Sequence, residues 1–375
     1  MSLRSASEIL SKQSNEPVHQ DDDPESLEAA EAAGLHYTHD YDVGFTRKRA
    51  GSKTKQSVFH FFDPKGKRIT DKKTLERINA LKIPPAWVDV WVCHRANGHL
   101  QCTGRDQRNR KQYLYHGDWR KFRDQTKYTK LLTFGEKLPL IRNRIRRDLA
   151  KPGLSREKVL ASVVSIMDQA LIRIGNDEYA KTNESYGLTT MHNTHVKVRG
   201  SKVKFHFRGK SGIVHDIELN DPRIAKVVKS CQCLPGQELF GYKDERGNAI
   251  DVSSSDVNEY VQSIAGEQFT AKDFRTWGGS VRAATCLAKL GPCKSDREAK
   301  KFILQAVRET ASGLGNTVSV CRKYYIHPSI LESQANGLLF KMGEKRSKKV
   351  GLKPQETFLL DLLRACVKPK RAARV

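Results

Sequence analysis

Tyrosine, arginine and lysine are the residues on which any chemistry of this sequence has to rest. Gly209-Lys210-Ser211 echoes the end of a Walker A loop, but that motif needs a glycine where Lys204 stands, and a hairpin tip is the wrong setting for it. The sequence holds no His-Glu-x-x-His, no paired carboxylate cluster and no Gly-x-Gly-x-x-Gly. Its eight cysteines are scattered, and Cys231-Gln232-Cys233 is too tight for a zinc knuckle. The reading is reduced structural thiols, no metal and no cofactor. The residue types that remain do suit one reaction. A tyrosine hydroxyl attacks a phosphodiester when cations stabilise the charge gathering on the non-bridging oxygens. Arginine suits that clamp because its planar fork matches two oxygens, and a lysine near the leaving oxygen can supply its proton.

Charge points to the same kind of substrate. The 375 residues carry a formal net charge of +25, an excess that repels itself in a compact fold and is best compensated by a polyanion. Nucleic acid fits better than an anionic membrane, because no basic amphipathic helix with an aromatic face stands out. No run approaches the ~18–20 apolar residues of a membrane span, and Met-Ser-Leu-Arg-Ser-Ala lacks the apolar core of a secretory signal. The expected location is therefore cytoplasmic.

The elements that must position such a site fall into four stretches. Residues 1–33 are acidic and Ala/Ser-rich, and are expected to be disordered or a fraying helix. Residues 34–121 are read as a small β-sheet domain: a strand over 57–62 ends at the turn Asp63-Pro64-Lys65-Gly66, and a short helix is capped near Asp71. Val88, Val90 and Val92 then alternate, and Asn97-Gly98 is read as a two-residue hairpin turn before a return strand over 99–103. Residues 122–342 are mainly helical. Val159, Val163, Ile166, Met167 and Ala170 recur at helical spacing behind Ser155, and Ser295-Asp296-Arg297-Glu298 is a capping box. Three strands over 196–199, 203–208 and 214–219 interrupt that series. Residues 343–375 are read as a basic C-terminal segment with a short helix. The fold class is α+β.

Five segments, in one order, resemble the short bacterial and poxviral type IB DNA topoisomerases over about residues 35–338. The stretch from Gly104 through Arg105, Arg108, Arg110, Lys111, Gln112 and Tyr113 to Tyr115 looks like that family's DNA-contacting hairpin. Leu171-Ile172-Arg173-Ile174-Gly175-Asn176, continued by Tyr186-Gly187-Leu188-Thr189, resembles the segment of the first catalytic arginine. Phe207-Arg208-Gly209-Lys210-Ser211-Gly212 resembles the catalytic lysine hairpin, and Lys272-Asp273-Phe274-Arg275-Thr276-Trp277-Gly278 the second arginine segment. Gly315-Asn316-Thr317 through Arg322-Lys323-Tyr324-Tyr325 resembles the segment ending in the nucleophile. The resemblance implies that Arg173 and Arg275 hold the scissile phosphate, Lys210 is general acid and Tyr325 is the nucleophile. It also implies that Asn316 stands where the viral pattern has histidine; the amide can donate a hydrogen bond but carries no charge.

Each residue has a plainer reading. Tyr324 is a rival to Tyr325, although nine residues on from Asn316 selects Tyr325. Arg173 among Leu171, Ile172 and Ile174 can be a buried arginine paired with Asp177 or Glu184, but a phosphate partner accounts better for the cost of burying it. Lys210 at a hairpin tip is otherwise a solvated turn residue. Arg275 lies near a helix start behind Thr270, where positive charge opposes the helix dipole. The run Arg105–Lys111 is otherwise a solvated face; beside aromatics it suits DNA contacts.

The resemblance implies relaxation of supercoiled duplex DNA by a monomeric clamp at the nucleoid. Two other readings compete. A tyrosine recombinase shares the catalytic fold, but typically carries histidine where Lys272 stands and has a helical DNA-arm domain. A non-catalytic basic packaging protein would need only the charge.

Overall fold

The computed structural model of the chain describes residues 24–50, 58–107, 109–343 and 349–367. Most of the acidic N-terminal segment, Arg108 and the basic tail 368–375 lie outside the described residues. Two compact units divide at Lys127 and Tyr128, inside a helix and not at its start.

The first unit opens with α1 (Pro24–Ala32). Of the two forms expected for the N-terminal segment, this part takes the helical one, with Ala30 buried against Leu35 and Trp119. An antiparallel sheet follows, built from β1 (Gly44–Ala50), β2 (Val58–Phe62), β3 (Val88–Cys93), β4 (Leu100–Arg105) and β5 (Lys111–Tyr115), in the order β2-β1-β3-β4-β5. Between β2 and β3 lies α2 (Lys72–Ala80), capped as expected by Asp71, which accepts from the Thr74 N–H at 2.8 Å. Its Ile78 packs on Phe61, Val90, Val92 and Cys102.

The expected two-residue turn at Asn97-Gly98 is instead a longer connection, residues 94–99. His36 runs beside it, donating to Asn97 O at 2.9 Å and accepting from His99 N–H at 2.7 Å, while the Gln101 amide donates to Gly98 O at 2.7 Å. Backbone groups that a tight turn would pair with each other are thus taken by other residues. Gly98 serves close approach here, since a Cβ would lie 2.6 Å from Cys93 Sγ.

The second unit is mainly helical. Entering through α3 (Gly117–Leu149), it is organised around α4 (Arg156–Ala170), whose residues Val159 to Met167 are all buried behind the Ser155 cap. A helix apolar on every side must be enclosed by others. After α5 (Asp177–Asn183) come β6 (Val196–Arg199), β7 (Lys202–Arg208) and β8 (Val214–Asn220), an antiparallel sheet in that order. On β7, Val203, Phe205 and Phe207 face the core while the alternate residues face solvent, the period-2 pattern of a half-buried strand. The chain continues through α6 (Pro222–Gln232), the small hairpin β9 (Gly241–Lys243) and β10 (Ala249–Asp251), α7 (Ser254–Ala265) and α8 (Ala271–Leu290). It closes with α9 (Asp296–Leu314), α10 (Val318–Tyr324), α11 (Pro328–Ala335), α12 (Leu338–Gly343) and α13 (Pro354–Val367). The capping box before α9 is half formed: Ser295 Oγ accepts from Glu298 N–H, but the Glu298 carboxylate accepts from Lys294 N–H. The architecture is α+β, and no helix of the described residues is long and apolar enough to cross a membrane.

Helix α13 is part of the core and not an appended segment. Leu359, Leu360, Leu362 and Leu363 are buried, and Gly135 on α3 leaves room for both Trp277 of α8 and Leu360 of α13, a Cβ there lying 2.3 Å from the Trp277 ring and 3.1 Å from Leu360 Cδ1. Arg142 binds Asp168 at 2.8 and 2.9 Å and Glu356 at 2.7 Å through two nitrogens, tying α3, α4 and α13 together. Burial alone would push the Glu356 carboxyl up, but hydrogen bonds and charge from Arg142 more than offset it and hold it below its ordinary range. Arg142→Met strands the buried Glu356 carboxylate and the partly buried Asp168 one, so we expect a loss of ~3–5 kcal/mol in urea unfolding. Because the Glu356 pKa is depressed by folding, its stabilisation is fully present above the ordinary carboxylate pKa of ~4.3 and is lost as pH falls below that value and through the depressed one. Glu356→Gln should therefore flatten the acid limb of the stability curve; an unchanged limb would remove this account.

Candidate active site

Helix α4 ends with Leu171 in the left-handed region (φ 56°), which turns the chain out into an extended segment carrying Arg173. That segment is clamped by residues 187–189: Leu188 N–H donates to Arg173 O at 2.9 Å and Thr189 N–H to Ile174 O at 2.7 Å. Only glycine permits the fit, since a Cβ on Gly187 would lie 2.5 Å from Gly175 Cα. Arg173 pairs with neither Asp177 nor Glu184. Glu184 faces Arg208 at 3.6 Å, and the Arg173 guanidinium donates to Asn316 Oδ1.

Arg275 sits in the second turn of α8, behind a capping box in which Thr270 N–H donates to Asp273 at 2.8 Å. It is 5% exposed and donates to Leu171 O and, at 2.9 Å, to Leu314 O. Its Nε has no partner. Burial first, and the charge of Arg173 second, push its pKa down to about 10; burial lowers Arg173 as well. Two desolvated cations side by side are unfavourable unless an anion shares the site. An anion between the two would offset that cost.

Asn316 follows Gly315, which ends α9 at φ 58°, and its amide Nδ2 is buried without a partner. While Asn316 Oδ1 is used by Arg173, that nitrogen remains able to donate. Tyr325 caps α10, with the Arg275 guanidinium carbon 5.2 Å from its ring centroid. Gly279 lets α8 approach its backbone, where a Cβ would lie 2.6 Å from Tyr325 O, and the buried Ser280 hydroxyl accepts from His327 N–H at 3.1 Å. Tyr324, by contrast, is 40% exposed beside Lys323.

Lys210 lies in the β7–β8 connection, as expected. Gly209 N–H donates to Ile213 O at 2.8 Å, and Ser211 takes φ 65°. Arg173, Lys210, Arg275, Asn316 and Tyr325, drawn from separate stretches of sequence, all line one cleft of about 490 Å³. Lys272 and Thr317 line it too. Sequence reasoning passed over Gly279, Ser280 and His215. A Gly278-Gly279 pair inside a helix was the available signal, because it costs helix stability of ~1 kcal/mol per residue and implies close packing.

The hairpin candidates lie in the first unit. Along β5, Lys111, Tyr113 and Tyr115 share one face, and the two tyrosine rings stack at 6.1 Å. Gln112 and Leu114 are on the other face. The basic run is partly engaged: Asp106 takes Arg110 at 2.6 Å and Gln112 at 3.0 Å, Lys111 meets Asp40 at 2.6 Å, and Arg105 donates to Asn109 O at 3.1 Å.

Comparisons with known proteins agree on a class, the DNA topoisomerases. The catalytic core of eukaryotic DNA topoisomerase I matches residues 116–350, and the N-terminal domain of bacterial DNA topoisomerase IB matches residues 58–106. A DNA topoisomerase 1B of Acanthamoeba polyphaga mimivirus is 30% identical over 329 residues, covering 86% of this chain and 95% of the relative. The DNA topoisomerase 1B of Vaccinia virus (strain Copenhagen) is 24% identical over 276 residues, 70% of this chain and 82% of its own. With the core matched over more than half of its length, this chain belongs to the type IB DNA topoisomerase family.

Proposed function

We propose that the chain relaxes supercoiled duplex DNA by cutting and rejoining one strand through Tyr325. The Tyr325 hydroxyl loses its proton to solvent as its oxygen attacks the scissile phosphorus, the bond to the 5′ oxygen breaks, and Lys210 gives that oxygen a proton that solvent then restores to the lysine. Arg173, Arg275 and the Asn316 amide stabilise charge on the non-bridging oxygens. The 3′-phosphotyrosine keeps the energy of the broken ester, so rejoining is the same step reversed and the scheme requires neither nucleotide nor metal. Strand rotation between the two steps releases supercoils. The observation that carries this reading is the gathering of the five residues around one cleft beside a desolvated arginine pair. Arg105, Arg108, Arg110, Lys111, Gln112, Tyr113 and Tyr115 are the proposed DNA contacts of the first unit, in a monomeric clamp acting at the cytoplasmic nucleoid with no membrane partner.

Relaxation of a supercoiled plasmid in chelator, without ATP, tests the proposal; a strict need for either would overturn it. DNA affinity should also fall steeply with salt. With a net charge of +25, neutralising ~6–10 phosphates costs ~10³–10⁵ in affinity between ~50 and ~200 mM salt. A nearly flat salt dependence would refute the electrostatic part.

A further inference from the structure

We propose that His215 is a positioning residue whose imidazole, wedged between the backbone preceding Lys210 and the backbone preceding Asn316, holds those two groups on one phosphate. This rests on the roles proposed above for Lys210 and Asn316. The register of β8 places His215 opposite Phe207, and the rings stack at 5.0 Å with an interplanar angle of 20°. That stacking fixes the imidazole plane. A Cβ on Gly209 would lie 2.7 Å from His215 Cδ2 and 2.9 Å from Nε2, and a Cβ on Gly315 would lie 2.4 Å from Cε1 and 3.0 Å from Nε2. One edge of one ring therefore fills the space on both sides, and glycine is required at both positions for the ring to fit. Gly315 is in addition left-handed, at φ 58°.

The same ring lines a small cavity with Arg173, Arg275 and Leu314. The charged groups facing it are Arg173, from the segment after α4, and Arg275, from α8. Burial and these two cations keep the imidazole pKa below its ordinary value, so the spacer adds no further positive charge to a site already lined by arginine and lysine. An uncharged flat ring is what the geometry uses. A side chain without the ring lets the two loops relax toward each other, and displacements of ~1 Å at a reacting centre can cost ~10²-fold in rate.

The test is single-turnover cleavage of a suicide duplex, with DNA affinity and thermal melting measured alongside. His215→Ala should cleave ~10²-fold more slowly at unchanged affinity. His215→Phe, which keeps a flat ring against both glycines, should recover most of that rate. A substrate with sulfur at the 5′ leaving position needs little protonation, so it should regain roughly tenfold of the His215→Ala defect, the share transmitted through Lys210. Wild-type rates for His215→Ala, or an equal defect on oxygen and sulfur substrates, would overturn the proposal. If His215→Ala does not fold, His215→Phe and His215→Gln decide: a fast Phe and slow Gln variant is expected, and the reverse order would mean a polar role. Tyr325→Phe on the same duplex reports separately on the underlying assignment, because an adduct from that variant would defeat the chemistry whatever His215 does.

Discussion

Tyr325→Phe is expected to form no covalent adduct with a suicide duplex and to relax no plasmid, while binding DNA as well as the unaltered chain. The substitution removes one oxygen and leaves the ring, which stays packed beside the Arg275 guanidinium. The backbone that holds residue 325 is fixed independently of the hydroxyl, by Cys321 O and by the close approach of Gly279. Fold and affinity therefore survive. Without the oxygen the proposed nucleophile is gone. Tyr324→Phe should keep most of its activity, because Tyr324 is exposed beside Lys323 and does not line the cleft. Peptide mapping of a trapped adduct checks the assignment. A nucleotide on Tyr324 would move the nucleophile by one residue, and an active double variant would defeat the mechanism.

What could be read from sequence depended on how far each constraint reaches along the chain. The alternation of Val203, Phe205 and Phe207 and the apolar spacing behind Ser155 are local, and both elements stand where their periods placed them. The 94–99 connection depends on His36, a partner distant in sequence, so Asn97-Gly98 looked like an ordinary tight turn. Helix α13 carries its leucines at helical spacing, but their burial is set by Gly135 on α3 and by the Arg142 cluster, which no local pattern announces. His215 is the extreme case. Nothing in its neighbourhood marks it, and its place follows from the β7–β8 register together with a glycine on another helix end. The resemblance brought together the cleft residues because it encodes order and spacing over about residues 35–338. It did not reveal what holds them.

Arg275→Lys should slow cleavage by ~10²–10³-fold, the scale seen when one preorganised donor to a developing oxyanion is removed. Charge is conserved in this substitution, so any loss measures geometry. The Arg275 guanidinium spends one nitrogen on Leu171 O and another on Leu314 O, and still has Nε without a partner. A lysine ammonium is a single point charge on a flexible stem and cannot bridge both carbonyls while facing a phosphate. One buried carbonyl would lose its donor, at a cost of ~1–3 kcal/mol, so the melting temperature should fall as well. DNA affinity should change little, because it is summed over many phosphate contacts and not concentrated on one. The informative comparison is Arg173→Lys, whose parent side chain is bonded to the Asn316 amide and not pinned to two main-chain carbonyls. Its melting temperature should fall less than that of Arg275→Lys. If Arg275→Lys cleaved at close to the unaltered rate, a point charge would suffice at this position and the proposed clamp on the non-bridging oxygens would have to be assigned elsewhere.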